Sequence, residues 1–208
     1  MNEAASIERL VREVRQQLPS AIVIDDGSTD STGRLAAQAG ADVFRHEQPK
    51  GKGAALRAGW QRAAERGFGW ALTMDGDGQH AASDIPGFLR CAETSGAVLV
   101  VGNRMACPTG MPLIRRCTNR FMSWKLGRLA GQKLPDTQCG FRLMHLPAWS
   151  KLTIETTHFE IESELLLAFA RAQFKIAFVP IQVIYRAEDS KIRPVQDTWR
   201  WFRWLWAR

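Results

Sequence analysis

Two short apolar runs in this chain stop abruptly at acids and glycine. Ala21 to Ile24 ends at Asp25-Asp26-Gly27, and Trp70 to Met74 ends at Asp75-Gly76-Asp77-Gly78. Brief apolar runs closed by turn residues read as strands buried on both faces. Around them the period becomes helical. Ile7, Leu10, Val11, Val14 and Leu18 form one stripe, which Pro19 terminates. Further helical patterns cover about Asp30 to Ala39, Gly53 to Glu65 and Ser83 to Ala92, with strands near Asp42 to Arg45 and Ala97 to Val101. Such alternation predicts an α/β, Rossmann-like domain with a mostly parallel sheet flanked by helices. Ligands of such sheets collect beyond the carboxyl ends of the strands, where both acidic turns stand.

The second half is less regular. Leu113 to Leu129 reads as a basic amphipathic helix, Gly140 to His145 as a strand and Glu160 to Gln173 as a helix. Lys175 to Tyr185 reads as a strand broken at Pro180. We expect one domain over residues 1–195 and a Trp/Arg-rich amphipathic tail over 196–208.

Net charge of +7 and a pI of 9.7 point to anionic partners. The basic residues gather between Arg104 and Lys133 and again after Tyr185. No nucleic-acid recognition motif accompanies them, so a nucleic-acid partner is not expected. No apolar run approaches the length of a spanning helix, and the start is too polar for a signal peptide. Cys91, Cys107, Cys117 and Cys139 lack C-x-x-C spacing and read as reduced thiols. A cytoplasmic address, peripheral on the inner face of the membrane, is expected.

Three segments carry candidate chemistry. In Asp75-Gly76-Asp77-Gly78-Gln79, two carboxylates and an amide at alternate positions can turn oxygen toward one hard cation. The bland alternative is a solvated acidic turn, and an EF-hand is excluded because His80 and Pro86 stand where that loop needs Gly and Glu. In Asp25-Asp26-Gly27-Ser28-Thr29-Asp30, capping accounts for one acid but not for three. Two adjacent acids at a sheet edge suit a base and ribose. Lys50-Gly51-Lys52-Gly53 precedes a helix, so amides and lysines converge on a possible anion, though neither a Walker A loop nor a dinucleotide fingerprint is present.

Together these segments resemble family 2 inverting glycosyltransferases of the GT-A fold, in particular the dolichyl-phosphate mannose synthase and polyprenyl-phosphate glycosyltransferase group. The matching stretches are Ile24 to Asp30, Gly51 to Leu56, Met74 to His80, Gly102-Asn-Arg104, Asp136 to Arg142, Phe159-Glu-Ile-Glu162 and Val179-Pro-Ile181. Arg186 and Ser190-Lys191 follow in the family's order. The resemblance implies a nucleotide-diphosphate sugar donor, a polyprenyl-phosphate acceptor and Mg²⁺ or Mn²⁺. It places Asp25, Asp26, Lys52 and Asp75 at the donor, and Asp75, Asp77 and Gln79 on the metal. Arg104, Arg116, Arg186, Ser190 and Lys191 would receive the acceptor phosphate, with Arg115 able to replace Arg116. Asp77 and Asp136 would be the catalytic acids, Asp136 alternatively orienting Arg142. Glu160 and Glu162 have a simpler reading as favourable charges in a helix's first turn.

Two departures from the pattern matter. The family opens with a strand ahead of an Asn-Glu pair, and here Met1-Asn2-Glu3 reads as the tail of that motif. We therefore expect a native start upstream of Met1, or poor solubility. The hydrophobic C-terminal segments of some relatives are also missing. Instead, residues 199 to 206 hold four of the eight tryptophans, and Trp199, Phe202, Leu205 and Trp206 would share a helix face suited to an anionic membrane surface. Competing readings are a soluble or glycolipid acceptor, a nucleotidyltransferase, and a non-catalytic fragment that binds membrane or a membrane partner subunit.

Overall fold

The computed structural model describes residues 1–182, 184 and 194–206, and the side chains of all of these except 194–198. Helix α1 (Ile7–Gln17) leads to strand β1 (Ile22–Asp25), α2 (Thr32–Gln38), β2 (Asp42–Arg45), α3 (Lys52–Glu65) and β3 (Trp70–Thr73). Then come α4 (Ile85–Ser95), β4 (Leu99–Asn103), α5 (Leu113–Ala130) and β5 (Arg142–His145). The short α6 (Leu146–Trp149), α7 (Ile161–Arg171), β6 (Ile176–Pro180) and α8 (Pro194–Trp206) complete the order. The alternation read from the sequence is present, with most boundaries displaced by one or two residues; the helix expected to end at Ala92 runs to Ser95, and the strand expected over Lys175 to Tyr185 ends at Pro180.

The strands form two groups. β1 and β2 run parallel, Ile22 opposite Asp42 and Asp25 opposite Arg45. The other four follow the order β3-β5-β4-β6. Here β6 is parallel to β4, whereas β5 is antiparallel to both β3 and β4. β5 must run backward because it leaves the Asp136–Gly140 loop, which lies at the carboxyl ends of its neighbours.

Packing follows the same division. The main cluster joins Phe88, Leu99, Val100, Val101, Phe141, Leu165 and Phe169, all essentially inaccessible, with Phe88 stacked on Phe141 at 4.3 Å. A second, smaller cluster holds Ile7, Val11 and Ala36 between the first two helices and β1–β2. The α1 stripe is thus shared: Ile7 and Val11 serve this cluster, while Val14 and Leu18 pack toward the main one.

The tail helix differs from expectation. Trp201 and Leu205, four residues apart, face inward and are buried, and Trp201 Nε1 donates to Ser163 Oγ of α7 at 2.9 Å. Trp199 and Trp206 point outward. The face shared by Leu205 is therefore core, because an indole with a buried hydroxyl partner gains more from packing than from solvent. Among the described residues no helix is long and apolar enough to cross a membrane.

Candidate active site

The carboxyl ends of β1 and β3 open into one cavity of about 2020 Å³. Asp25, Asp26, Lys52, Asp75, Asp77, Gln79 and Arg104 all line it, so the sequence-derived donor and metal candidates converge.

Asp26 is largely spent on its own fold. Its Oδ1 meets His46 Nδ1 at 2.7 Å and accepts from Lys50 N–H at 2.9 Å, and its Oδ2 accepts from Gly51 N–H at 2.8 Å. Burial pushes its carboxyl up, but His46 and these two amides outweigh it and hold the group below the ordinary range. The nest over Lys50 and Gly51, expected to face a ligand anion, thus receives an internal one. The next amides, Gly53 and Ala54, donate to Thr157 O at 2.8 and 3.3 Å. Asp25 Oδ1 accepts from Ser28 N–H at 2.9 Å, while its Oδ2 is buried with no hydrogen-bond donor.

Lys52 is the electrostatic centre. Its Nζ lies 2.7 Å from Asp75 Oδ1 and 2.7 Å from Glu162 Oε1, and 5.4 Å above the Phe159 ring. Desolvation disfavours the ammonium, yet Asp75 and Glu162 more than compensate and raise its pKa. Asp75 is likewise desolvated, and Lys52 and His80 hold it ionised. Asp77 goes the other way: burial, with Asp75 and Glu3 as like charges, raises its pKa, and its Oδ1 accepts from Gln79 N–H at 3.0 Å. A Cβ on Gly140 would sit 2.8 Å from Asp75 Oδ2 and 3.2 Å from Lys52 Nζ, so a side chain there would push this ion pair aside. Among the described residues no group of three or more His, Cys, Asp or Glu is arranged to hold a metal.

Asp136 orients an arginine, but it is Arg104 rather than Arg142. Arg104 donates from Nε to Oδ2 at 2.8 Å, from Nη2 to Oδ1 at 2.9 Å and from its backbone N–H at 3.0 Å. Asn119 Nδ2 and the Gln138 amide add two further bonds. Burial pushes this carboxyl up, and Arg104 and Asn119 bring it well below the usual range. Fully enclosed and five-fold bonded, it is a fixed anion that positions Arg104. Arg142 is buried and donates to three carbonyls, Cys139 O, Glu162 O and Thr137 O, tying the 137–142 loop to α7.

On α5, Ile114 and Arg115 line the cavity, and Arg116 does not. Arg186, Ser190 and Lys191 lie outside the described residues. Sequence reasoning underrated Glu162 and passed over His80, whose Nδ1 receives the Asp75 amide at 3.2 Å. Glu162's place in the first helical turn offered a sufficient reason for an acid, which concealed its lysine partner. The four cysteines are free, and burial pushes the Cys139 thiol up to about 11.

Acid-tipped strands, a lysine between two carboxylates and an arginine fixed by a buried aspartate define a GT-A glycosyltransferase. The comparisons agree. Residues 1–152 match the model described as glycosyl transferase family 2, and the chain belongs to that family. It is 31% identical over 179 residues to a dolichyl-phosphate hexose transferase of Haloferax volcanii, covering 83% of this chain and 74% of that one. It is 29% identical over 207 residues to the UDP-N-acetylglucosamine–dolichyl-phosphate N-acetylglucosaminyltransferase of Methanococcus voltae, covering 88% and 82%. Among solved structures it resembles glucosyl-3-phosphoglycerate synthase from Mycobacterium tuberculosis, in complex with Mn²⁺, uridine-diphosphate and glucosyl-3-phosphoglycerate. That match has a TM-score of 0.70 at 23% identity and covers 98% of this chain and 73% of that one.

Proposed function

We propose that this enzyme transfers a sugar from a nucleotide-diphosphate donor to a polyprenyl phosphate at an anionic membrane surface, with Mg²⁺ or Mn²⁺ on the donor diphosphate. The observation that carries this reading is one cavity in which acids and cations meet an apolar, basic helix. Asp75, Asp77, Lys52 and Arg104 line it together with Ile114 and Arg115 of α5 and Trp199 of α8. Leu113, Ile114, Phe121 and Trp124 are exposed on α5, interleaved with Arg116, Arg120, Lys125 and Arg128, and Trp206 is exposed on α8. Aromatic and aliphatic side chains among cations suit the headgroup layer of anionic lipid.

The donor set fits a hard divalent cation. Asp75 and Asp77 present carboxylate oxygen, and Asp77 is held unusually basic by burial and by the like charges of Asp75 and Glu3, both of which a cation would offset. Asp75, Asp77 and Gln79 are the residues assigned to it, and it would stabilise charge on the departing diphosphate as a Lewis acid. Lys52 adds a fixed positive charge beside the same diphosphate, held in place from both sides by Asp75 and Glu162. Arg104, immobilised by Asp136, and Arg115 are assigned to the acceptor phosphate, with Arg186, Ser190 and Lys191. A phosphate is already anionic near neutral pH, so its positioning matters more than a strong general base. Asp25 and Asp26 shape the nucleoside end.

The test is transfer of labelled sugar from a panel of nucleotide sugars to short polyprenyl phosphates in phosphatidylglycerol vesicles. Metal-dependent appearance of label in organic-extractable, phosphate-linked product is expected. Label only in a water-soluble phosphorylated acceptor would move the acceptor out of the lipid class, and no transfer with any donor would end the proposal.

A further inference from the structure

A chain of buried hydrogen bonds leads from Asp136 to Gln138, and its protons can be placed from the carboxylate end. Asp136 is ionised, so its oxygens only accept, and Asn119 turns Nδ2 toward Oδ1 at 2.9 Å. Asn119 Oδ1 is then an acceptor, and it takes the hydroxyl proton of Ser123 at 3.0 Å. Ser123 Oγ has no further proton to give. It accepts from Thr137 N–H at 3.1 Å, and its 3.2 Å bond with Thr137 Oγ1 must be donated by the threonine. With that proton spent, Thr137 Oγ1 can only accept, and Gln138 Nε2 donates to it at 3.1 Å.

The other amide proton of Gln138 is spent as well. Nε2 lies 3.1 Å from Ser163 Oγ, which also accepts from Trp201 Nε1 at 2.9 Å. Asn119, Ser123, Asp136, Thr137, Ser163 and Trp201 are all buried, so solvent does not compete for these bonds. The carboxamide of Gln138 is therefore fixed in one flip, nitrogen inward. Its Oε1 accepts from none of the described residues, and Gln138 is half-buried and lines the large cavity. The relay thus ends in an oriented oxygen that can accept a proton and has none to give.

The neighbours of Gln138 along the chain say what this oxygen meets. Asp136 holds Arg104, assigned to the acceptor phosphate, and Gly140 lies against Asp75 and Lys52, assigned to the donor diphosphate. Ionised phosphates on either side offer no proton. The group between them that does is a hydroxyl of the sugar in transit. We infer, on the nucleotide-sugar half of the proposed function, that Gln138 is a specificity-determining residue whose Oε1 accepts a hydrogen bond from one hydroxyl of the transferred sugar. A site built to receive that proton discriminates against a sugar that lacks the hydroxyl.

The experiment is calorimetric binding, with Mn²⁺ present, of UDP, GDP, UDP-glucose, UDP-N-acetylglucosamine and GDP-mannose. Monodeoxy analogues of the sugar nucleotide that binds most tightly follow. The parent protein is compared with Gln138→Met, which keeps the length of the side chain and removes the oxygen. This variant is expected to fold, because Thr137 Oγ1 keeps Ser123 and Ser163 Oγ keeps Trp201. It should bind the sugar nucleotide about ten-fold more weakly and the bare nucleotide as the parent does. Loss of one particular hydroxyl should cost the parent the same factor and cost the variant nothing. Unchanged affinity for the sugar nucleotide in the variant would overturn the inference. So would an equal loss for the bare nucleotide, or equal sensitivity of both proteins to every deoxy analogue. Failure of the parent to bind any of these nucleotides would overturn the nucleotide-sugar reading itself, and the role of Gln138 with it.

Discussion

Lys52 Nζ stands 2.7 Å from Asp75 Oδ1, so the first acid of the metal-type motif is already half-neutralised by the protein itself. The same ammonium reaches Glu162, which is 5% exposed and has one oxygen without a donor. Removing the lysine strands that acid. Lys52→Met is expected to cost about 3 kcal/mol of stability, the scale for breaking a buried pair from one side. Adding Glu162→Gln should recover part of this loss without restoring transfer. Urea unfolding of the two single variants and the double variant checks the coupling.

Asp77 makes the opposite prediction. It is crowded by Asp75 and Glu3, so Asp77→Asn removes repulsion as well as a ligand. The melting temperature should hold or rise while turnover falls by about a hundred-fold or more. Chelation with EDTA should abolish transfer in the parent protein, and Mn²⁺ or Mg²⁺ should restore it. Full activity in excess chelator would refute the metal assignment.

The Arg104–Asp136 pair supplies a pH prediction. The folded carboxyl lies below its ordinary value of 3.8. Its stabilising contribution is thus complete above that value and is lost as pH falls through the lower folded one. Asp136→Asn should destabilise the protein at neutral pH by about 3 kcal/mol and flatten the acid limb of its stability curve below pH 3.8. Transfer should suffer mainly through acceptor KM, because Arg104 loses its orientation. An unchanged acceptor KM would leave Asp136 a purely structural role.

Two glycines separate fold from site. A Cβ on Gly53 would fall 2.4 Å from Thr156 O, a backbone atom, so Gly53→Ala should lower stability. A Cβ on Gly140 would strike Asp75 Oδ2 and crowd Lys52 Nζ, side-chain atoms that can shift. Gly140→Ala is therefore expected to leave the melting temperature nearly intact and reduce turnover. Thermal scans beside initial rates decide this.

The tail helix divides in the same way. Trp201→Ala should cost about 3 to 5 kcal/mol, because the indole is enclosed and bonded to Ser163. Trp206→Ala, at a side chain 91% exposed, should leave folding unchanged and weaken sedimentation with phosphatidylglycerol vesicles. Equal vesicle binding by the two forms would remove Trp206 from the membrane surface.

Local patterns carried much of this protein. The apolar runs ending at Ile24 and Met74, the α1 stripe and the acidic turns were legible because a strand's burial and a turn's residues are properties of neighbouring positions. They placed Asp25, Asp26, Asp75 and Asp77 at the carboxyl ends of strands. Residue type alone could not choose Arg115 over Arg116. Adjacent helical positions point about 100° apart, and only packing sets which faces the cavity.

Pairings between distant segments were decided by tertiary structure. Asp136 finds Arg104 across 32 positions, and Glu162 finds Lys52 across 110, because β5 runs backward between β3 and β4 and α7 lies behind it. The Lys50–Gly51 nest looked like a ligand site from its own residues, and the fold filled it with Asp26 from another strand end. In the tail, the residue order made the helix amphipathic without settling which stripe turns inward; Ser163 on α7 decided that for Trp201. The sequence by itself determined the elements, the chemistry at their ends and the family. Which charges neutralise one another, and which remain for a ligand, followed only from the three-dimensional approach of groups far apart in the chain, since electrostatic energy depends on that separation and on the water excluded between them.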